Sequence, residues 1–207
     1  MKLRTPLDEK VIKSLKAGDM LYLSGTIYTG RDAAHQKLVD LLKEGKELPV
    51  NLKGQTIYYV GPAPKKPGRV IGSAGPTSSY RMDPYAKTMM SYGLKVMIGK
   101  GSRSDKFIKE MLDEGGVYLQ AIGGLGALLA EKIKSAEVVA FPELGAEAIY
   151  KLEVEDFPVV VTYDAHGGNL IKEGIEKYRR VILWKSILKE EIGEKLIFFM
   201  KELKKAI

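Results

Sequence analysis

Segments typical of β-strands and of α-helices alternate along most of this chain, and that alternation limits the possible folds more than any other feature. Runs that favour strands occupy residues 20–29, 55–60, 96–98, 117–122, 138–141 and 159–162. Between them lie stretches with apolar residues at helical spacing, such as Ala34, Leu38 and Leu41 within residues 31–43. Glycines follow several of these stretches, as is common at helix C-termini. The pattern predicts an α/β fold.

Cap-like residues suggest where individual helices begin. Thr5, followed by Pro6, is typical of an N-cap with proline at the first helical position, and it predicts a helix that ends at Gly18. Asp83 and Pro84 repeat the pattern. We further expect a helix capped by Ser104, a helix over residues 123–134 and a short strand at residues 69–73.

The chain is predicted to be a single domain over residues 1–207 with a helical tail at about residues 170–207. Its 207 residues suffice for about one domain, and 45% of them are hydrophobic, so a sizeable core is available. Within the tail, residues 181–184 favour a short strand, and residues 187–205 have an apolar stripe at helical spacing.

The absence of cysteine excludes several kinds of site. No disulfide, thiolate nucleophile or cysteine-ligated iron–sulfur cluster can be formed by this chain alone. The two histidines, His35 and His166, do not suffice for a multi-histidine metal site, so we predict no metal ligand in this chain. No apolar run reaches the roughly 18 residues of a membrane span. The segment MKLRTPLDEK lacks the apolar core of a signal peptide, and we therefore expect a cytoplasmic protein.

The net charge of +7 favours anionic ligands or an acidic partner, although the charges are dispersed along the chain. Nucleic-acid binding would rest on this charge alone, because no motif places stacking aromatic residues within a basic face. We expect no nucleic-acid partner.

Three glycine-flanked segments are candidates for chemistry. In LSGTIYTGRDAAH, residues 23–35, a strand ends at Gly30, and Arg31 and Asp32 begin a helix whose N-terminus favours anions. An equally good interpretation is that Arg31 pairs with a surface acid and Asp32 caps the helix. His35 lies on the same helix and is a secondary candidate.

The segment SAGPTSSYRMDPY, residues 73–85, is the most informative of the three. A glycine-proline turn is followed by Thr77, Ser78 and Ser79 and then by Arg81, and hydroxyls beside a guanidinium can bind a small anion. A hydroxyl-rich cap with an exposed arginine is the alternative. The combination of Arg81 with the turn favours a site.

In MIGKGSRSDK, residues 97–106, Lys100 lies between two glycines that permit close approach of a ligand. The spacing of a Walker A loop is absent, and a surface turn is the alternative. Further along, an acidic group is expected to form a solvated or partner-facing surface rather than a catalytic site. Its members are Glu143, Glu147, Glu153 and Glu155.

Taken together, five segments between residues 18 and 163 resemble, in the same order, the β subunit of class I fumarases and the related tartrate dehydratases. They are LSGTIYTGRDAAH, AGPTSSYRMDPY, IGKGSRS, AIGG and FPELGAEAIYKLEVEDFP. The resemblance implies a swivelling β/β/α domain with a mixed sheet and flanking helices. It also implies a hetero-oligomer in which a partner α subunit holds a 4Fe–4S cluster, which fits a chain without cysteine.

The resemblance further implies the reversible hydration of a dicarboxylate, either fumarate to malate or the dehydration of tartrate to oxaloacetate, by a chain that is inactive alone. It assigns Arg31, Arg81 and Lys100 to substrate binding and Thr77 to proton abstraction, together with an aspartate of the α subunit. His35 stays a secondary candidate, and no residue is assigned to metal.

Two features depart from this family. DAHGGN, residues 164–169, stands where the family often has DDKGN, and the tail from about residue 170 has no counterpart. Because both substrates carry carboxylates, the sequence does not choose between fumarate and tartrate. A non-catalytic module that binds anions or nucleotides is the alternative function.

Overall fold

The computed structural model describes residues 1–179. The chain divides into two compact units after Ile171, and every strand of the described part lies in the first unit, residues 1–171.

Seven strands and six helices make up the described part of the chain. The strands are β1 (Lys2–Thr5), β2 (Met20–Thr29), β3 (Thr56–Tyr58), β4 (Val96–Gly99), β5 (Val117–Gln120), β6 (Ile133–Ala140) and β7 (Ile149–Tyr163). The helices are α1 (Glu9–Ser14), α2 (Asp32–Lys43), α3 (Asp83–Tyr92), α4 (Asp105–Asp113), α5 (Gly126–Glu131) and α6 (Leu170–Tyr178). Two 3₁₀ helices, Ser79–Met82 and Pro142–Glu147, precede α3 and β7.

The strands form a mixed sheet that closes on itself. Their order is β1-β2-β3-β4-β5-β7-β6, and β2 also pairs with β7. Strands β2 to β5 are mutually parallel, whereas β7 is antiparallel to both β5 and β2. The ring β2-β3-β4-β5-β7 is therefore a closed five-stranded barrel, with β1 and β6 attached outside it. This confirms the α/β prediction and the mixed sheet with flanking helices.

Burial on both faces explains the apolar sequence of β4, whose four residues are all buried. Alternate residues of all five barrel strands, such as Val96 and Ile98 of β4, belong to one buried cluster, which fills the barrel interior. The intervening residues, such as Met97, pack with α2, α3 and α4 in a second cluster. Tyr58 and Tyr59 are fully buried, one in each cluster.

The prediction for the N-terminal segment is wrong in its helix start. Thr5 ends β1, and its hydroxyl donates a hydrogen bond to the carbonyl of Thr26 at 2.6 Å. The helix begins at Glu9, and Asp8 is its N-cap, accepting from the amide of Val11 at 2.8 Å. The sequence KLRT gives no alternating pattern that would identify β1 as a strand.

Asp83 is likewise not the cap of α3 but its first residue, preceded by Met82. Its carboxylate accepts instead from Arg103 Nε at 2.5 Å and from the amide of Ser104 at 2.9 Å. Ser104 caps α4 as predicted, accepting from the amide of Phe107.

Four further predictions need correction or lie outside the described residues. Residues 69–73 form no strand, since residues 70–72 are bends, and the helix predicted over 123–134 is confined to α5. It stops because the chain from Ile133 pairs with β7, a contact that local periodicity does not reveal. The strand predicted at 181–184 and the helix at 187–205 lie outside the described residues. Among residues 1–179, no helix is long and apolar enough to span a bilayer.

Candidate functional site

The candidate residues gather where three neighbouring parallel strands end. Arg31 follows β2 and Lys100 directly follows β4. The segment that carries Thr77 returns to the end of β3, where the amide of Thr77 donates to the carbonyl of Tyr59 at 2.8 Å. Ser78 forms a parallel β-bridge with Lys100. The carboxyl ends of parallel strands are a common position for ligand sites in α/β folds.

Arg81 reaches Thr77 across one turn of the 3₁₀ helix Ser79–Met82. Its Nη1 lies 3.5 Å from the Thr77 hydroxyl oxygen, at the long limit of a hydrogen bond. Both side chains are partly exposed. The structure therefore places the proposed base and one proposed substrate-binding arginine side by side.

Arg81 also forms a two-point ion pair with Asp32, the first residue of α2. The Nε of Arg81 lies 3.0 Å from Oδ1, and a terminal nitrogen donates to Oδ2. Partial burial raises the pKa of Asp32, but hydrogen bonds from Arg81 and from its own amide, with the charges of Arg81 and Arg31, outweigh burial and leave the pKa lowered. Asp32 is thus a persistent anion that orients Arg81.

Arg31 pairs with Glu147, at the end of the 3₁₀ helix before β7. The distance from Arg31 Nη2 to Glu147 Oε1 is 3.3 Å, and Oε2 accepts from the amide of Ala33 at 3.0 Å. The predicted acidic group is not uniformly solvated. Glu143 is 55% exposed and pairs with Lys37, and Glu155 is 66% exposed, whereas Glu147 is 27% exposed and Glu153 is half-buried and accepts from the Thr26 hydroxyl.

Lys100 is held through its backbone by Ser79. The amide of Lys100 donates to Ser79 Oγ at 2.8 Å, and the amide of Ser79 donates to the carbonyl of Lys100 at 3.0 Å. Within residues 1–179 the Lys100 ammonium has no hydrogen-bonded partner. Unlike the two arginines, Lys100 is a cation without a neighbouring carboxylate in this part of the chain.

His35 is buried beneath the start of α2, with 1% of its surface exposed. Its Nδ1 lies 2.8 Å from the carbonyl oxygen of Arg31, so the ring donates to that carbonyl. Burial lowers the pKa of His35 to about 4, which keeps the ring neutral near pH 7. This position suits a residue that supports the backbone of Arg31.

Arg103 is a functional-site neighbour that the sequence reasoning missed, although it lies within the segment IGKGSRS. Its side chain is fully buried, pairs with Asp83 and stacks 3.5 Å from the centroid of the Phe107 ring. Arg103 therefore ties the loop after β4 to the start of α3. The sequence feature that could have identified Arg103 is its position three residues after Lys100, in a segment that contains two glycines.

The donor groups of this chain do not fit an iron–sulfur cluster. There is no cysteine, and residues 1–179 contain no group of three or more His, Asp or Glu side chains placed to bind a metal. A cavity of about 610 Å³ is lined by residues within 63–73 and 127–134, and none of the five candidates lines it. The candidate site is instead the open edge formed by Arg31, Thr77, Arg81 and Lys100.

Comparison with known proteins matches residues 1–174 to the Fumarase C-terminus family. The chain is 46% identical over 159 residues to "Fumarate hydratase class I, anaerobic" of Escherichia coli, covering 76% of this chain and 29% of that protein. It is 42% identical over 180 residues to "Putative fumarate hydratase class I" of Geobacillus stearothermophilus, covering 84% and 34%.

A relative of similar length is also found. The "Putative L(+)-tartrate dehydratase subunit beta" of Methanocaldococcus jannaschii is 41% identical over 173 residues, covering 81% of this chain and 89% of that protein. The chain thus spans about a third of the fumarate hydratase relatives but most of the tartrate dehydratase subunit. The family match and these identities show that the chain belongs to the Fumarase C-terminus family.

Proposed function

We propose that this chain is the β subunit of a hydro-lyase that adds water to, or removes it from, a dicarboxylate, and that it is active only with an α subunit. The substrate is fumarate or malate, or tartrate converted to oxaloacetate. The observation that carries this proposal is that Arg81 lies beside Thr77 at one edge of the barrel, with Lys100 bridged to the next residue, Ser78, and Arg31 adjoining Asp32, the partner of Arg81. The names of the hydratase and dehydratase relatives support it.

Three cations suit a dianionic substrate. Each carboxylate loses hydration on binding, and charged hydrogen bonds to arginine or lysine replace it. Proton removal from the carbon beside a carboxylate increases the negative charge on that carboxylate. Cations fixed by a rigid barrel then stabilise the transition state without reorganising.

Thr77 is proposed as the group that removes the proton. A threonine hydroxyl is a weak base near neutral pH and requires a neighbour that favours its deprotonated form. Arg81 is such a neighbour, since its Nη1 lies 3.5 Å from the hydroxyl. An aspartate of the α subunit is proposed to assist.

The partner is proposed to provide the 4Fe–4S cluster, because the donor groups of this chain do not fit one. A cluster with an open iron supplies Lewis-acid chemistry at the substrate hydroxyl. We assign the barrel and its helices to the swivelling β/β/α class, and residues from about 170 to 207 to an added tail. A relative named as a β subunit supports the hetero-oligomer.

Reconstitution tests this function. The chain is purified alone and together with a cysteine-bearing α-type subunit, and both samples are assayed anaerobically with fumarate, malate and tartrate. We expect turnover of one dicarboxylate by the complex and none by the isolated chain. Turnover by the isolated chain would contradict the division of labour. An inactive complex, with nucleotide binding by the isolated chain, would favour the non-catalytic module.

A further inference from the structure

We propose that Glu147 is a positioning residue that holds Arg31 in the orientation in which it binds a substrate carboxylate, and that Gly61 provides the space this orientation needs. The inference rests on the proposed function, because that function makes Arg31 a substrate-binding residue. Neither Glu147 nor Gly61 is itself proposed to touch the substrate.

Glu147 is fixed at both of its carboxylate oxygens. Oε2 accepts from the amide of Ala33, one of the amides in the first turn of α2, and Oε1 faces Arg31 Nη2 at 3.3 Å. The side chains of Glu147 and Arg31 are 27% and 24% exposed, so solvent screens this pair less than a surface pair. The Glu147 carboxylate therefore contacts both the backbone of the first turn of α2 and the guanidinium of Arg31, the residue just before that helix.

Gly61 borders the same guanidinium from the barrel side. A Cβ added at Gly61 would lie 2.6 Å from Arg31 Nη1, 2.9 Å from its Cδ and 3.1 Å from the carbonyl oxygen of Ala146. No methyl group fits there unless Arg31 moves. Ala146 precedes Glu147, so the segment that provides the carboxylate also limits the space around a side chain at residue 61.

Glu147 does not use all the donors of Arg31. Its carboxylate contacts one terminal nitrogen, Nη2, and the Arg31 side chain stays 24% exposed, whereas the Nε of Arg31 is buried and has no acceptor among residues 1–179. A guanidinium offers five N–H donors in a planar fork, so one carboxylate can orient it while other donors remain available to a ligand. The ion pair thus prepares Arg31 for binding without saturating it.

Glu143 provides a matched control within the same 3₁₀ helix. It also forms an ion pair with a side chain of α2, Lys37, but the two side chains are 55% and 44% exposed. Loss of such an exposed pair has little effect on stability. Comparing Glu147 with Glu143 therefore separates the orientation of Arg31 from a general loosening of this helix.

The kinetic test uses the complex with the α subunit and the variants Glu147→Ala, Glu147→Gln, Gly61→Ala and Glu143→Ala. Because Arg31 contacts a carboxylate in both ground and transition states, we expect Glu147→Ala and Gly61→Ala to raise KM about tenfold while kcat changes less than about threefold. Glu147→Gln keeps one acceptor oxygen for two N–H donors, those of Ala33 and Arg31, so it should raise KM less than Glu147→Ala does. Glu143→Ala should leave both constants unchanged.

A second measurement does not depend on activity. In the full chain labelled with ¹⁵N, the buried Nε–H of Arg31 should exchange slowly with water in the parent and in Glu143→Ala, and rapidly in Glu147→Ala. If Glu147→Ala and Glu143→Ala give the same KM, or if Arg31 exchange is unchanged, the inference is wrong. If Glu147→Ala does not fold, an unchanged KM in Gly61→Ala overturns it. An inactive parent complex overturns the proposed function instead, and the exchange measurement still decides the positioning of Arg31.

Discussion

Asp32 of α2 and Arg81 of the 3₁₀ helix Ser79–Met82 form a two-point ion pair in which Arg81 Nε lies 3.0 Å from Asp32 Oδ1. The pair fixes a guanidinium beside the hydroxyl of Thr77. It also leaves a measurable pH signature, because the pKa of Asp32 is lower in the folded chain than its ordinary value of 3.8.

The ion pair between Asp32 and Arg81 should stabilise the fold at neutral pH and lose this effect in acid, where the Asp32 carboxyl is protonated. A carboxyl whose pKa is lowered on folding contributes fully above its unfolded pKa, and the contribution disappears as pH falls through the folded value. We expect Asp32→Asn to lower the urea midpoint at pH 7, and the difference from the parent to narrow below about pH 4. A difference that is the same at pH 7 and pH 3 would argue against the ion pair as its source.

Replacement of either arginine should impair turnover strongly in the complex. Arg31→Ala or Arg81→Ala removes a charged side chain that we propose contacts the substrate, and we expect kcat/KM to fall roughly 100-fold or more. Arg4→Ala, on the exposed side of β1, is the control and should retain the parent rate. A near-parent rate in Arg31→Ala or Arg81→Ala would remove that arginine from the proposed site.

His35 should titrate far below the usual range of histidine. Burial of the ring lowers its pKa to about 4 from 6.5, so the unfolded chain takes up a proton before the folded chain does. The free energy of unfolding should therefore fall as pH is lowered from 6.5 to 4. In the His35→Gln variant this free energy should fall less over the same interval. An NMR titration of the Cε1–H signal gives the direct measurement, and a midpoint near 6.5 would contradict the buried, neutral ring.

Gly99→Ala should disrupt the segment that holds Lys100. The added Cβ would lie 1.8 Å from Ser79 Oγ and 3.0 Å from the Tyr59 ring, so Ser79 must leave the amide of Lys100. We expect a loss of about 1–3 kcal/mol in the free energy of unfolding, as for other overpacked positions. Urea denaturation measures it.

Gly174→Ala is the matched control, because no atom of residues 1–179 lies within 4 Å of the added Cβ and the residue is inside helix α6. Alanine has the higher helix propensity, so this variant should be neutral or more stable. Equal losses in the two variants would show that crowding at Ser79 is not the cause.

Local pattern predicted β2 at its observed bounds and α2 to within one residue, because strand-favouring residues fill β2 and the apolar face of α2 spans three turns. It found only part of β7, which covers Ile149–Tyr163 where residues 159–162 were predicted, and only the end of β6. β1 and α5 have four and six residues, too few for periodicity to be decisive. The N-cap at Asp8 was missed because proline at residue 6 gave a stronger local signal.

What the sequence did not predict depends on contacts between distant parts of the chain. Ala33 and Glu147 are 114 residues apart, and Arg81 and Asp32 are 49 apart, so no local spacing joins them. The choice left open for Arg31, between binding an anion and pairing with an acid, assumed that the two exclude each other. The structure shows Arg31 paired with Glu147 while its Nε has no acceptor among residues 1–179.

Closure of the barrel through the β2–β7 pairing has a consequence for how such a site can diverge. The circumference of the ring is set by main-chain hydrogen bonds, so the spacing between the ends of β2, β3 and β4 does not depend on which side chains follow them. The loops that follow these strands can therefore be replaced one at a time. Such a replacement changes which ligand is bound, while the barrel keeps its dimensions.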